Sequence, residues 1–160
     1  FCIYLHHRKY AMRLEEELQQ DGFQSEHQKA VLNILFTSNW LESDSARVLK
    51  PFGISSQQYN VLRILKGQGT NAISVNNIMS RMIDKMSNAS RLVEKLRKKE
   101  FIERVTCEHD RRQVDVRITE TGIALLKEAD KEMNKFDGMK DKITEKEAVS
   151  LSKLLEKIRE

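Results

Sequence analysis

SNASRLVEKLRKK, residues 87–99, decides how the rest of the chain is read. Ala89, Leu92, Val93 and Leu96 recur at helical spacing and make one apolar stripe. Asn88, Arg91, Lys95 and Lys98 run down the opposite side and carry no apolar group that needs burial. Ser87 is the expected N-cap, its hydroxyl accepting a hydrogen bond from a backbone N–H of the first turn. Taken alone, this is an ordinary solvated surface helix. A helix anchored on one face and offering Asn, Arg and Lys on the other also fits a DNA groove, and the flanking segments decide between the two.

Upstream, Ser74 caps a short helix, SVNNIMSRMI, whose apolar face is Val75, Ile78, Met79 and Met82, with Ala72–Ile73 as a short strand before it. Only the connection MIDKM separates this helix from the next. Two short amphipathic helices joined so tightly form a helix-turn-helix, with the second as recognition helix. Downstream the period changes to two. Residues 102–106 (IERVT) and 114–118 (VDVRI) alternate as half-buried strands, and the polar loop CEHDRRQ between them closes a hairpin. A hairpin directly after a recognition helix is a wing, and Arg111 and Arg112 at its tip suit a minor groove of negative potential.

Further out, Gln24–Leu49 reads as a long helix with Ala30, Val31, Ile34, Leu35, Leu41 and Val48 as its stripe, widened by Phe36 and Trp40. That breadth suggests several packing partners, a second subunit among them. Pro51 and Gly53 end it. Ser55 and Gln58 make a capping box for a helix packing through Tyr59, Leu62 and Leu65. Thr119 caps a helix over Glu120–Phe136 that Gly138 interrupts, and Thr144 with Glu147 opens the last one. The terminal stripe of Ala148, Leu151, Leu154, Leu155 and Ile158 needs a cover, which argues for a dimerisation layer built from both ends of the chain. Residues 1–22 are a leader, part helical through Tyr10, Leu14 and Leu18. Residues 23–50 and 120–160 form the helical dimerisation region, and residues 51–119 the winged helix-turn-helix. The fold class is mainly α with a small β-hairpin wing.

Composition narrows the function. Residues 81–117 hold eleven Lys or Arg against seven Asp or Glu, while the rest of the chain is balanced at 17 each. The whole net charge of +4 therefore sits around the opening helix, as a phosphate-binding surface requires. No apolar run approaches the ~20 residues of a membrane span. Two distant cysteines, Cys2 and Cys107, fit a reducing cytoplasm. Cys107 and His109 are too few for a metal site. No nucleophile–base constellation or phosphate-cradling glycine loop appears, so the expectation is no enzyme and no cofactor.

The run Ser87–Leu96, the exit Lys98-Lys-Glu-Phe-Ile102 with Arg104, the wing triplet Asp110-Arg-Arg112 and Ile118-Thr-Glu-Thr-Gly122 together resemble the MarR family of winged-helix transcription regulators. The resemblance spans about residues 24–158. Two positions depart from it: Glu100 stands where the family usually has Gly, and Met79 replaces a small Ala. The resemblance implies a homodimer, a repressor, gripping a pseudo-palindromic operator in double-stranded DNA. Asn88 and Arg91 are then the base readers, and Lys95 and Lys98 the phosphate contacts. Ser74, Ser87 and Ser90 offer hydroxyls to the backbone. Arg112 is the minor-groove residue, Asp110 the partner that orients it, and Arg111 a phosphate contact. Family members commonly bind small aromatic or phenolic effectors, for which Phe36, Trp40, Phe52 and Tyr59 are candidate walls, although such stripes more often simply pack. The oxidant-sensing mechanism of some members needs a Cys near the start of the first helix, which this chain lacks. The alternative is a winged helix that binds protein or RNA without operator specificity.

Overall fold

The computed structural model describes residues 13–106, 114–135 and 141–160. The chain divides at Ser43/Asp44 into two compact units. In the first, α1 (Leu14–Leu18) precedes α2 (Glu26–Leu49), which runs on into the second unit. Lys29 ties the two helices, its Nζ donating to Glu15 Oε1 at 2.6 Å. Val31, Ile34, Leu35, Phe36 and Trp40 all stand exposed along α2.

The second unit begins where Pro51 opens a 3-10 turn (Lys50–Phe52) that ends on Gly53 at φ +67°. The Ser55–Gln58 capping box forms as the sequence requires, with Ser55 Oγ accepting from Gln58 N at 3.2 Å and Gln58 Oε1 accepting from Ser55 N at 3.0 Å. It starts α3 (Ser56–Lys66), followed by β1 (Ile73–Ser74), α4 (Val75–Arg81) and α5 (Ala89–Lys98). Then come β2 (Ile102–Thr106), β3 (Val114–Ile118), α6 (Glu120–Lys135) and α7 (Glu145–Lys157).

The wing is more than a hairpin. β3 pairs with β2 on one edge and with β1 on the other, giving an antiparallel sheet in the order β1-β3-β2. Val116 sits opposite Arg104 and Ile73, and is fully buried at the centre of this sheet. One core runs through this second unit: Val61, Leu62 and Leu65 of α3, Ile78 of α4, Val93 and Leu96 of α5, Ile102 and Ile118 of the wing, and Leu126 and Ala129 of α6.

Two expectations need correction. Met79 is exposed rather than packed with Ile78 and Met82. Asn88, not Ser87, caps α5, its Oδ1 accepting from Arg91 N at 3.0 Å. Ser87 instead donates its hydroxyl to Asp84 Oδ2 at 2.5 Å. An Asx carbonyl is as good a cap as a hydroxyl, and the Asp84 carboxylate claims the serine first.

The α5-to-wing exit explains two sequence features at once. Glu100 takes the left-handed conformation at φ +61° in the place of the usual glycine. Its N–H donates to Arg97 O at 2.9 Å and Phe101 N–H to Leu96 O at 3.1 Å, which is the Schellman closure of a helix end. Thr119 then joins this exit to α6. Its hydroxyl donates to Glu100 O at 2.7 Å and accepts from Gly122 N at 3.1 Å. A Cβ at position 122 would lie 2.1 Å from the Phe101 carbonyl oxygen, so the Thr-Glu-Thr-Gly run is a joint whose last residue has room for nothing larger than hydrogen.

Candidate nucleic-acid interface

Helix α5 is built to present one face. Ala89, Val93 and Leu96 are buried, while Asn88, Ser90, Arg91, Lys95 and Lys98 are exposed. Among the described residues, Arg91 and Lys95 enter no ion pair, whereas other cations of the helix and wing are spent locally. Glu94 accepts from Arg97 at 2.8 and 3.0 Å and from Arg104 at 3.1 Å. Those bonds, Arg97's foremost, hold the Glu94 carboxyl below its ordinary pKa. Glu94 thereby ties α5 to β2, and Arg117 pairs with Glu103 across the β2–β3 ladder at 2.6 Å. What remains uncommitted is the cationic edge of Arg91 and Lys95, continued by Lys98 one turn on.

The serines divide. Ser90 is exposed, Ser87 is half-buried and bonded to Asp84, and Ser74 is buried with its Oγ accepting from Asn77 N at 3.2 Å. Ser74 is thus held as the cap of α4. Asn88 spends its carbonyl oxygen on the cap of α5 and keeps its amide donors. Asp110, Arg111 and Arg112 lie outside the described residues, as do Cys107 and His109.

Residues 54–114 match the family model described as the MarR family. This stretch is similar to a MarR-family domain. It covers the capping box, the helix-turn-helix and the wing as far as the start of β3. The MarR transcription factor of Planctomyces limnophilus shares 25% identity, with 86% of this chain and 96% of that one covered at a TM-score of 0.63. The organohalide-sensing regulator RdhR-CbdbA1625, solved with 2,4-dichlorophenol, is 22% identical over 97% of this chain and 88% of its own, at a TM-score of 0.75. MepR of S. aureus, solved with DNA, is 19% identical over 80% and 92%, at 0.70. No curated protein sequence matches the chain.

The aromatic residues expected as effector walls fall in both units. Phe36 and Trp40 belong to the first unit. Phe52 borders a cavity of about 500 Å³ with Arg47, Val48 and Glu132. Tyr59 borders a different groove of about 670 Å³ with Asn60, Arg63, Ile64, Ile83 and Met133.

That second groove carries a cluster that sequence reading missed. Asp130 of α6 accepts from Tyr59 Oη at 2.6 Å and from Arg63 at 3.0 Å, and pairs with Lys66 at 3.1 Å. Partial burial pushes the Asp130 carboxyl up, and the bonds from Tyr59, Arg63 and Lys66 outweigh it, leaving the carboxyl below its ordinary value. Burial and the facing carboxylate raise the Tyr59 hydroxyl in turn. The partners are 64 to 71 positions apart, so no local pattern signals them. Of the expected dimer residues, Leu151, Leu154 and Ile158 are exposed and Leu155 is half-buried.

Proposed function

We propose that the protein is a sequence-specific DNA-binding repressor that acts as a homodimer on a pseudo-palindromic operator. The observation that carries this reading is the face of α5, buried on one side and offering Arg91, Lys95 and Lys98 on the other, with Arg91 and Lys95 in no ion pair among the described residues. Arg91 pairs with guanine, the Asn88 amide donates to an acceptor on a base edge, and Lys95 and Lys98 neutralise phosphates. Ser87 and Ser90 add hydroxyls near the backbone. On the wing, Arg112 enters the minor groove, Asp110 orients it and Arg111 meets a phosphate. Two copies place their recognition helices about 34 Å apart, one helical turn of DNA.

The apolar residues left open at both ends of the chain support a dimer. Leu151, Leu154 and Ile158 on α7 and Val31, Leu35 and Phe36 on α2 form exposed stripes of the kind that a second copy covers. The grooves beside Phe52 and Tyr59 support control by a small aromatic or phenolic ligand. RdhR-CbdbA1625 has been solved with such a ligand, and here Arg63 faces the groove beside Tyr59. A ligand acts by favouring one spacing of the two lobes over another.

Titration into duplexes selected from a random pool tests the reading. Binding should weaken steeply with salt, and Arg91→Ala should lose preference for the selected sequence. Absence of salt-dependent duplex binding at low ionic strength overturns the proposal. Leu151→Asp with Leu155→Asp should yield monomers in sedimentation and cost operator affinity. A mutant that stays dimeric places the interface elsewhere.

A further inference from the structure

The turn between α4 and α5 holds an anomaly that neither the core nor the cationic face accounts for. Met86 is 93% exposed and Ile83 is 88% exposed, in a chain that buries Met82 only four residues before Met86. They are the two most exposed of the large apolar side chains among the described residues, and covering either one in a complex would be favourable. Their surroundings differ. Ile83 borders the Tyr59 groove. Met86 stands two residues ahead of the Asn88 cap, at the entry to the helix that carries Arg91.

The backbone that presents Met86 is held in place. Asp84 Oδ1 accepts from Met86 N at 2.9 Å, and its other oxygen accepts from the Ser87 hydroxyl at 2.5 Å. Asn60 Oδ1 of α3 accepts from Ile83 N at 3.0 Å, anchoring the turn to the domain. The bond from Ser87's hydroxyl foremost, and that from Met86 N–H, hold the Asp84 carboxyl below its ordinary pKa. A long, flexible, polarisable side chain is thus offered from a hydrogen-bonded turn, two residues ahead of the cap of α5.

We propose that Met86 reads a thymine through its C5-methyl group, making an apolar contact at the edge of the base sequence read by Arg91. The thymine methyl is the apolar group that base pairs display in the major groove, where the entry of a recognition helix lies. An unbranched thioether reaches and moulds to such a group. The inference rests on the reading of this chain as a DNA-binding protein, and it adds a specificity element that charge alone does not provide.

The test removes the methyl from the DNA and the side chain from the protein. Duplexes selected from a random pool are resynthesised with each thymine in turn replaced by uracil, which lacks only the methyl. For the wild-type protein, one position per half-site should lose about fourfold in affinity, the worth of one buried methyl group. Met86→Ala should bind that site more weakly from the start and show no further loss on uracil substitution. Met86→Leu, apolar and of similar reach, should restore the sensitivity. Met86 is so exposed that these changes leave folding intact, which a thermal melt checks. If every uracil position affects wild type and Met86→Ala equally, the inference is overturned while DNA binding stands. If neither protein binds any selected duplex, both are overturned together.

Discussion

Helices α5 and α7 are written in the same pattern and meet different fates. Each is a short amphipathic helix with a capped start and an apolar stripe at helical spacing. In α5 the stripe closes onto α3, α4 and the wing, and Leu96 is completely buried. In α7 no residue is buried, and Leu154 and Ile158 stand 61% and 66% exposed. Periodicity states that a helix needs a partner and which face will take it. Whether that partner lies in the same chain is a matter of what else the chain has packed nearby.

The comparison can be broken most severely on the packed side. Gly122→Ala drives a methyl into the Phe101 carbonyl at the joint between α5, the wing and α6. It should cost at least about 3 kcal/mol in urea denaturation, since backbone oxygen cannot step aside as a flexible side chain does. Unchanged stability would mean that the joint is not as tight as its geometry. Next, Leu96→Ala on α5 should cost about 3 kcal/mol, whereas Leu154→Ala on α7 should change the stability of dilute protein by under about 0.5 kcal/mol. Equal losses would show α7 to be packed within one chain after all.

A smaller effect sharpens the contrast between the two ends of α6, one locked by Thr119 and Gly122, the other held to α3 by Asp130. The Asp130 pKa is depressed in the folded state, so its contribution is fully present above the ordinary value of 3.8 and is lost as pH falls through the lower folded value. Asp130→Asn should cost about 1 kcal/mol at neutral pH and flatten the acid limb of the stability curve, because the carboxylate is partly exposed and screened. An acid limb identical in both proteins would assign the pH dependence elsewhere. The smallest effect is expected at Glu100→Gly. Relief of a left-handed glutamate is worth ~1–2 kcal/mol, and the greater freedom of unfolded glycine takes back much of that, leaving a gain of about 0.5 kcal/mol. A loss of stability there would show that the glutamate side chain contributes more than its backbone costs.

Much of the fold that carries the candidate site was legible because its signals are local. A Ser-x-x-Gln box, an Asn-Ala-Ser-Arg start, period-two strands and a Thr-Glu-Thr-Gly run each depend on neighbours within a turn or two. The polar face of α5 follows from the same spacing that buries Val93 and Leu96. Error entered where two adjacent residues compete for one role. Ser87 and Asn88 are both competent caps, and the Asp84 carboxylate decided between them by claiming the serine hydroxyl. Met79 obeys the helical stripe and is exposed all the same, because the core beneath α4 is already filled by Ile78 and Met82.

The sequence by itself determined which segments are helix and strand, which faces are apolar, where the positive charge concentrates and that the domain resembles a winged helix. These follow from interactions between residues a few positions apart. Only the tertiary structure decided that β1 joins the wing as a third strand and that Glu94 spends Arg97 and Arg104 while Arg91 stays free of ion pairs among the described residues. It alone brought Asp130 onto Tyr59 and Arg63, and left Met86 in the open on a turn pinned by Asp84 and Asn60. Several of these contacts join residues scores of positions apart, and which cation a carboxylate takes or which side chain stays in water depends on the assembled core.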